Sequence, residues 1–286
     1  AGATVRFADP VLPSLDLPAS AFDGVITERT RLVALTAASN VVGTRPDVRA
    51  VADAAHAVGA LVYVDGVHAT PHGPVDMVAL GADMYATSAY KWSGPHLGAV
   101  AADPALWEGL HPDKLASSPP EVPYRFETGT SPFAEHAGLA AAVDHLASLA
   151  TPRVDQGTPV DQGTPVDHGD RRARLLASMA AVEAYEAELF GVLLDGLGSL
   201  PHVRLIGSPA RRTATAYFTV EAHTPQQVAE HCARARVNVW AGHMYAWELT
   251  GLLGIRDTGS GVRAGLVHYN DRSDVDRLLQ ALADLG

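Results

Sequence analysis

Apolar residues cluster in two short runs, LVALT at 32–36 and LVYV at 61–64, and between them recur at helical spacing in PDVRAVADAAHAVG. Short runs rich in β-branched and aromatic side chains read as buried strands, whereas a spacing of three to four reads as a helix with one buried face. The pattern therefore predicts a strand, a helix and a second strand. It then repeats, with VDMVALG as a short helix and MYAT, at 84–87, as the next strand. Alternation of this kind predicts a parallel sheet with helices packed on it. In such sheets ligands bind beyond the carboxyl ends of the strands.

AEHAGLAAAVDHLASLA extends this half with another helix, after which the pattern breaks. TPRVDQGTPVDQGTPVDHGD repeats the hexad TPVDQG behind a degenerate first copy, and Pro, Asp and Gly in every copy oppose helix and strand alike. Three copies are too few to stack into a β-helix core, so the repeat predicts a surface loop and a domain boundary. Beyond it, residues 171–195 form an amphipathic helix with Leu175, Met179, Val182, Leu189 and Leu193 on one stripe. VRLIG, TATAYFTV, VNVWA and VRAGLVHY follow as strands. Helices are expected at TPQQVAEHCARARV and SDVDRLLQALADL, the second capped by Ser273 or Asp271. The predicted division is a large α/β domain over 1–150, a loop over 151–170 and a small α+β domain over 171–286.

The 286 residues, 47% of them hydrophobic, suffice for a sizeable core, and no apolar run reaches the roughly 18–20 residues of a membrane-spanning helix. A net charge of -11 with scattered arginines lacks the concentrated basic face of a nucleic-acid binder and leaves a small molecule as the expected partner. Cys232, the single cysteine, rules out an internal disulfide, and no charged start followed by an apolar stretch marks a signal peptide. The cytoplasm is the expected compartment. AGATVRFADP has no initiating methionine and runs straight into folded-looking sequence, so the chain is expected to begin partway through a longer protein.

Of the 21 basic residues only Lys91 and Lys114 are lysine. A lysine kept against such a bias points to its chemistry, because an amine can lose a proton and attack a carbonyl and a guanidinium cannot. Asp65 directly follows LVYV and Lys91 lies just beyond MYAT, so both are expected at the same carboxyl edge of the sheet. Three chemistries compete there. Ser88 to Lys91 spells S-x-x-K, but the serine ends a strand instead of starting a helix, and the companion S-D-N and K-T-G motifs of penicillin-recognising enzymes are absent. Asp65, His68 and His72 are possible zinc ligands, yet Pro71 opposes placing both histidines on one helix face, and no metal site is expected. An amine and a carboxylate at one edge suit pyridoxal phosphate, which takes an amine on its aldehyde and a carboxylate against its pyridine nitrogen.

VDGVHATPHGPVDMVALGADMYATSAYKWSGPH resembles the core of the class V aminotransferase, or cysteine desulfurase-like, group of pyridoxal phosphate enzymes. The resemblance continues through ASNVVGT, RFETGTSPFAEHAGLAAAVDHL and GVRAGLVHYNDRSDVDRLLQAL, and covers nearly the whole chain apart from the repeat. It implies an α/β fold of type I, a mostly parallel sheet with helices on both faces and a small α+β C-terminal domain. It also implies that Lys91 binds the cofactor aldehyde and Asp65 its ring nitrogen, with His68 near the phenolate oxygen. Asn40 faces that oxygen or the substrate carboxylate. Ser88 takes the phosphate with Tyr90 beside it, where typical desulfurases have histidine. Thr130 matches a threonine that reaches the phosphate of a neighbouring subunit, which implies a homodimer with shared sites. Arg263 matches the arginine that grips the substrate carboxylate, a task that suits a planar fork of donors.

Departures from the pattern narrow the activity. Where persulfide-carrying desulfurases have an arginine and then G-H-x-C, this chain reads VNVWAGHMYAW, with Trp240 at the arginine's place and Tyr245 at the cysteine's. A phenol cannot accept sulfur as a persulfide, and Cys232 lies in a helical pattern that suits a packed small residue. The resemblance therefore implies a lyase that breaks a carbon–sulfur bond of a cysteine-derived amino acid by β-elimination, for example a cysteine-sulfoxide conjugate as in ergothioneine biosynthesis. Trp240 and Tyr245 stand where that substrate is read. An aminotransferase or an amino-acid epimerase of the same group is the alternative, and a non-catalytic homologue or fragment without cofactor is the alternative from another class. Family members carry a further stretch before this chain's first residue, with a phosphate-binding turn and a ring stacked on the cofactor, so 1–150 is expected to be the remainder of the large domain.

Overall fold

The apolar runs become strands and the periodic segments become helices. The computed structural model describes residues 2–127, 129–150 and 168–286. Its packing divides into two units, Ile26–Leu35 with Val48–Ala181, and Ala1–Val25 with Thr36–Asp47 and Val182–Gly286. This differs from the division at 150 and 171, because two N-terminal segments pack with the C-terminal half. The repeat loop expected over 151–170 lies outside the described residues, except that 168–170 already belong to a helix.

In the first unit β1 (Leu32–Thr36), α1 (Val48–Ala57) and β2 (Leu61–Asp65) fall where the pattern put them. α1 buries Val48, Val51, Ala52 and Ala55, and β2 buries Val62 and Val64. Next come α2 (Met77–Leu80), β3 (Met84–Ser88), β4 (Gly98–Ala102), α3 (Pro104–Gly109) and α4 (Phe133–Ala147). α5 (His168–Ser199) contributes its residues up to Ala181. The Asp76 carboxylate starts α2 by accepting from the amides of Val78 and Ala79, and Gly81 ends it at φ +71, so four residues suffice for a defined element.

The strand order is β1-β2-β3-β4, with β3 parallel to β2 and antiparallel to β4. β4, GAVAA, was not legible in the pattern because alanine and glycine carry little strand signal. Register pairs Asp65 with Ala86, so the carboxyl ends of β2 and β3 lie side by side.

The second unit holds α5 from Val182 onward, β5 (Val203–Leu205), β6 (Thr215–Val220), α6 (Pro225–Arg234), β7 (Trp240–Gly242), α7 (Trp247–Leu252), β8 (Gly261–Gly265) and α8 (Arg272–Ala283). The strands form an antiparallel sheet in the order β5-β6-β8-β7. Leu189, Leu193 and Leu197 of α5, Phe218 of β6, Val228 and Cys232 of α6, and Val275, Leu278 and Leu282 of α8 make its core. A side chain as fully buried as Phe218 contributes about 1.5–3 kcal/mol. A second cluster joins Leu15, Val41 and Val42 to Tyr217 and Met244, which is why the early segments belong here.

Of the two caps proposed for α8, Asp271 is the one used, in a reciprocal box with Asp274. The strand expected at VNVWA begins only at Trp240, because Arg236 at φ +61 turns the chain and the Val237 amide is spent on the Cys232 carbonyl, closing α6. Among the described residues no helix is long and apolar enough to cross a membrane.

Candidate active site

In the first unit the chemistry gathers where β2 and β3 end. Asp65 is the last residue of β2, exposed, and its Oδ1 accepts the Val67 amide at 2.9 Å. Gly66 continues the ladder by donating its amide to the Ala86 carbonyl at 2.8 Å. An added Cβ at 66 would lie 1.9 Å from the Tyr85 ring, so any larger residue there forces the ring or the corner to shift. His68 follows in the turn, its ring 4.8 Å from that of the buried His72. Ser88 closes β3, and a 3-10 turn over Ala89–Trp92 then presents Tyr90 and Lys91 outward while burying Ala89 and Trp92. The Tyr90 ring stacks on His96 at 4.8 Å and 8°, with Lys91 Nζ 5.8 Å from its centroid. Asp65, Ser88, Tyr90 and Lys91 thus share one sheet edge, the edge that spacing gave for Asp65 and Lys91.

Beneath them runs a set of hydrogen bonds that sequence reading missed. The Trp92 indole N–H donates to Thr87 Oγ1 at 2.9 Å, Thr87 Oγ1 to Thr70 Oγ1 at 3.1 Å, and Thr70 Oγ1 to the Gly66 carbonyl at 2.7 Å. The Tyr85 hydroxyl lies 3.1 Å from the same Thr70 oxygen. Thr70, Thr87 and Trp92 lie within the stretch that resembles the family, but nothing in its pattern says that these side chains meet.

In the second unit Arg263 of β8 donates from Nη1 to the Asn40 backbone carbonyl at 2.9 Å, and the Asn40 side-chain amide donates to the Met244 carbonyl at 2.9 Å. Burial lowers the Arg263 pKa from its ordinary value. The Trp240 ring centroid lies 6.0 Å from the guanidinium carbon. Tyr217, fully buried, donates its hydroxyl to the Gly242 carbonyl at 2.8 Å, so the loop after β7 is held at two carbonyls. Within it Met244 and Tyr245 both have positive φ, +54 and +63, and Tyr245 is 90% exposed. Side chains rarely take two successive left-handed conformations, and such strain concentrates at functional sites. Trp240, Gly242, His243, Met244 and Tyr245 line a shallow depression. Asn40, Trp240, Tyr245 and Arg263 are thereby brought together. Thr130 is exposed on the segment before α4 and is assigned by its motif alone.

The sequence matches the family model Aminotransferase class-V over residues 1–157 and 173–278, and the chain belongs to that family. A protein of Mycobacterium tuberculosis is 33% identical over 287 residues, covering 100% of this chain and 68% of its own length. A probable cysteine desulfurase of Pseudomonas putida is 34% identical over 270 residues, covering 90% of this chain and 59% of its own. The crystal structure of the cysteine desulfurase CsdA from Escherichia coli superposes with a TM-score of 0.77 at 26% identity, over 97% of this chain and 64% of that one. The fold is the type I fold of pyridoxal phosphate enzymes, as the motifs implied. The chain spans about 59–68% of the length of these relatives.

Proposed function

We propose that the chain serves a pyridoxal phosphate-dependent lyase that breaks the carbon–sulfur bond of a cysteine-derived amino acid by β-elimination. The observation that carries the cofactor assignment is the register of β2 on β3, which sets the Asp65 carboxylate and the turn bearing the Lys91 amine at one carboxyl edge. The donor set fits the cofactor: a primary amine for its aldehyde, a carboxylate for its ring nitrogen, and the Ser88 hydroxyl with Tyr90 beside it for its phosphate. His68 would hold the phenolate oxygen, and Thr130 of a second copy would complete the phosphate contacts in a homodimer. When bound, pyridoxal phosphate supplies an electron-withdrawing ring.

The chain's own residues then divide the work. Asp65 keeps the ring nitrogen protonated. Arg263, its guanidinium braced on the Asn40 carbonyl, is assigned to the substrate carboxylate together with Asn40, and Lys91 would take the α-proton and pass it to the departing sulfur. The bond from the β-carbon to sulfur would break with its electron pair leaving on sulfur, which takes up that proton and departs as a thiol or, from a sulfoxide, as a sulfenic acid, and water would then release pyruvate and ammonia. Tyr245 at the place of a persulfide cysteine supports elimination over sulfur transfer, and Trp240 and Tyr245 flank the substrate side chain.

The test is to load the protein with pyridoxal phosphate and supply cysteine sulfoxides alone. Equal amounts of pyruvate and ammonia, with no amino acceptor added, are the expected products. Keto acid only with an added acceptor identifies an aminotransferase, and solvent deuterium entering the α-position without keto acid identifies an epimerase. A protein that binds no pyridoxal phosphate is a non-catalytic homologue or fragment.

A further inference from the structure

We infer that Trp92, Thr87 and Thr70 are positioning residues: their side chains form a one-way hydrogen-bond brace that fixes the turn carrying Lys91 against the corner carrying Asp65. Its consequence for catalysis rests on the cofactor reading above, whereas the brace itself is read from geometry. The direction of each bond follows from counting protons. An indole N–H only donates, so Thr87 Oγ1 accepts at 2.9 Å and its single proton goes on to Thr70 Oγ1 at 3.1 Å. The Thr70 proton goes to the Gly66 carbonyl at 2.7 Å, an oxygen that also accepts the Thr70 amide at 2.9 Å. The two lone pairs of Thr70 Oγ1 match the Thr87 and Tyr85 hydroxyls, the latter 3.1 Å away.

The two ends of this brace each adjoin a residue with a proposed role. Gly66 follows Asp65 and is held by the Ala86 carbonyl and by contact with Tyr85. Trp92 follows Lys91, and its indole is buried. Between them the brace spans two turns and a strand, Thr70–His72, Ala89–Trp92 and β3. Lys91 is exposed, and the residue that follows it, Trp92, is buried and anchors the turn from below. In a partly buried site a chain of hydroxyls and an indole, each satisfied by the next, rigidifies the backbone that carries both turns.

The experiment uses the full 286-residue chain, with Lys114, exposed and outside the proposed site, as an internal reference. Protein is incubated with pyridoxal 5′-phosphate, reduced with borohydride and mapped by mass, giving the ratio of label on Lys91 to label on Lys114. Thr87→Val and Trp92→Phe are expected to lower that ratio by about three- to tenfold, the worth of one or two hydrogen bonds, and Thr87→Ser, which keeps the hydroxyl, to restore it. Indole proton exchange is read in parallel by NMR on the unmodified protein and on Thr87→Ser and Thr87→Val. The Trp92 proton should exchange slowly in the first two and quickly in the third. Wild-type-like ratios in both Thr87→Val and Trp92→Phe, or a fast-exchanging Trp92 indole in the unmodified protein, overturn the brace. If the unmodified protein shows no preference for Lys91, the cofactor reading fails instead, and the indole exchange alone then decides the brace.

Discussion

Asn40 and Arg263, 223 positions apart in sequence, are joined by a 2.9 Å hydrogen bond from the guanidinium to the asparagine's backbone carbonyl. The same asparagine uses its side-chain amide to hold the Met244 carbonyl. One residue thus steadies both the proposed carboxylate clamp and the loop that carries Tyr245. Because the bond to Arg263 uses the backbone, the two functions separate on mutation.

Asn40→Ala should leave Arg263 braced and release the loop. Hydrogen exchange over 240–247 is expected to quicken, with a stability loss of about 0.5–1.5 kcal/mol in urea melts. Unchanged exchange in that segment would show that the Asn40 amide does not hold it.

Arg263→Ala should weaken amino-acid binding to the cofactor-loaded protein by about ten- to a hundredfold, the range for a hydrogen-bonded charged group. Arg263→Lys should recover only part, because a point charge cannot fork onto a carboxylate. Titration of absorbance with a series of amino acids and their amides measures it, and equal losses for acid and amide would remove the carboxylate role.

Gly66→Ala should be destabilising by about 1–3 kcal/mol, since its Cβ would meet the Tyr85 ring, 1.9 Å away, and either the corner or the ring must move. A thermal melt reads this directly. A melt equal to that of the unmodified protein would mean the corner has room the geometry denies.

Burial raises the pKa of the Cys232 thiol above its ordinary 9.0. A folded pKa above the unfolded one means that this group's contribution to stability is present below about pH 9 and declines as pH rises beyond it. At pH 8 iodoacetamide should therefore label Cys232 only after unfolding, which the mass of native and urea-treated protein will show. Prompt labelling of the native protein would place the thiol at the surface.

Much of the fold was legible because β-branched runs and helical spacing are local signals. LVALT and β1 coincide, and the edge shared by Asp65 and Lys91 follows from strand order alone. What escaped depends on tertiary contact. The alanine-rich β4 has no pattern of its own, and VNVWA has a strand's pattern but yields three residues to the exit of α6. The brace through Thr70, Thr87 and Trp92 joins residues that mean nothing until the turns that carry them meet. Asn40 was assigned to the cofactor or substrate by its motif, and its grip on Met244 could only be seen in the folded chain.

On the proposed function, Lys91 is lysine because the cofactor's aldehyde would need an amine there. Borohydride reduction of the protein after incubation with pyridoxal 5′-phosphate, followed by mapping of the modified peptide, tests it most directly. The account predicts label on Lys91 in large excess over Lys114, lost in Lys91→Arg. Folded protein with no label on Lys91, or with both lysines labelled alike, would contradict it.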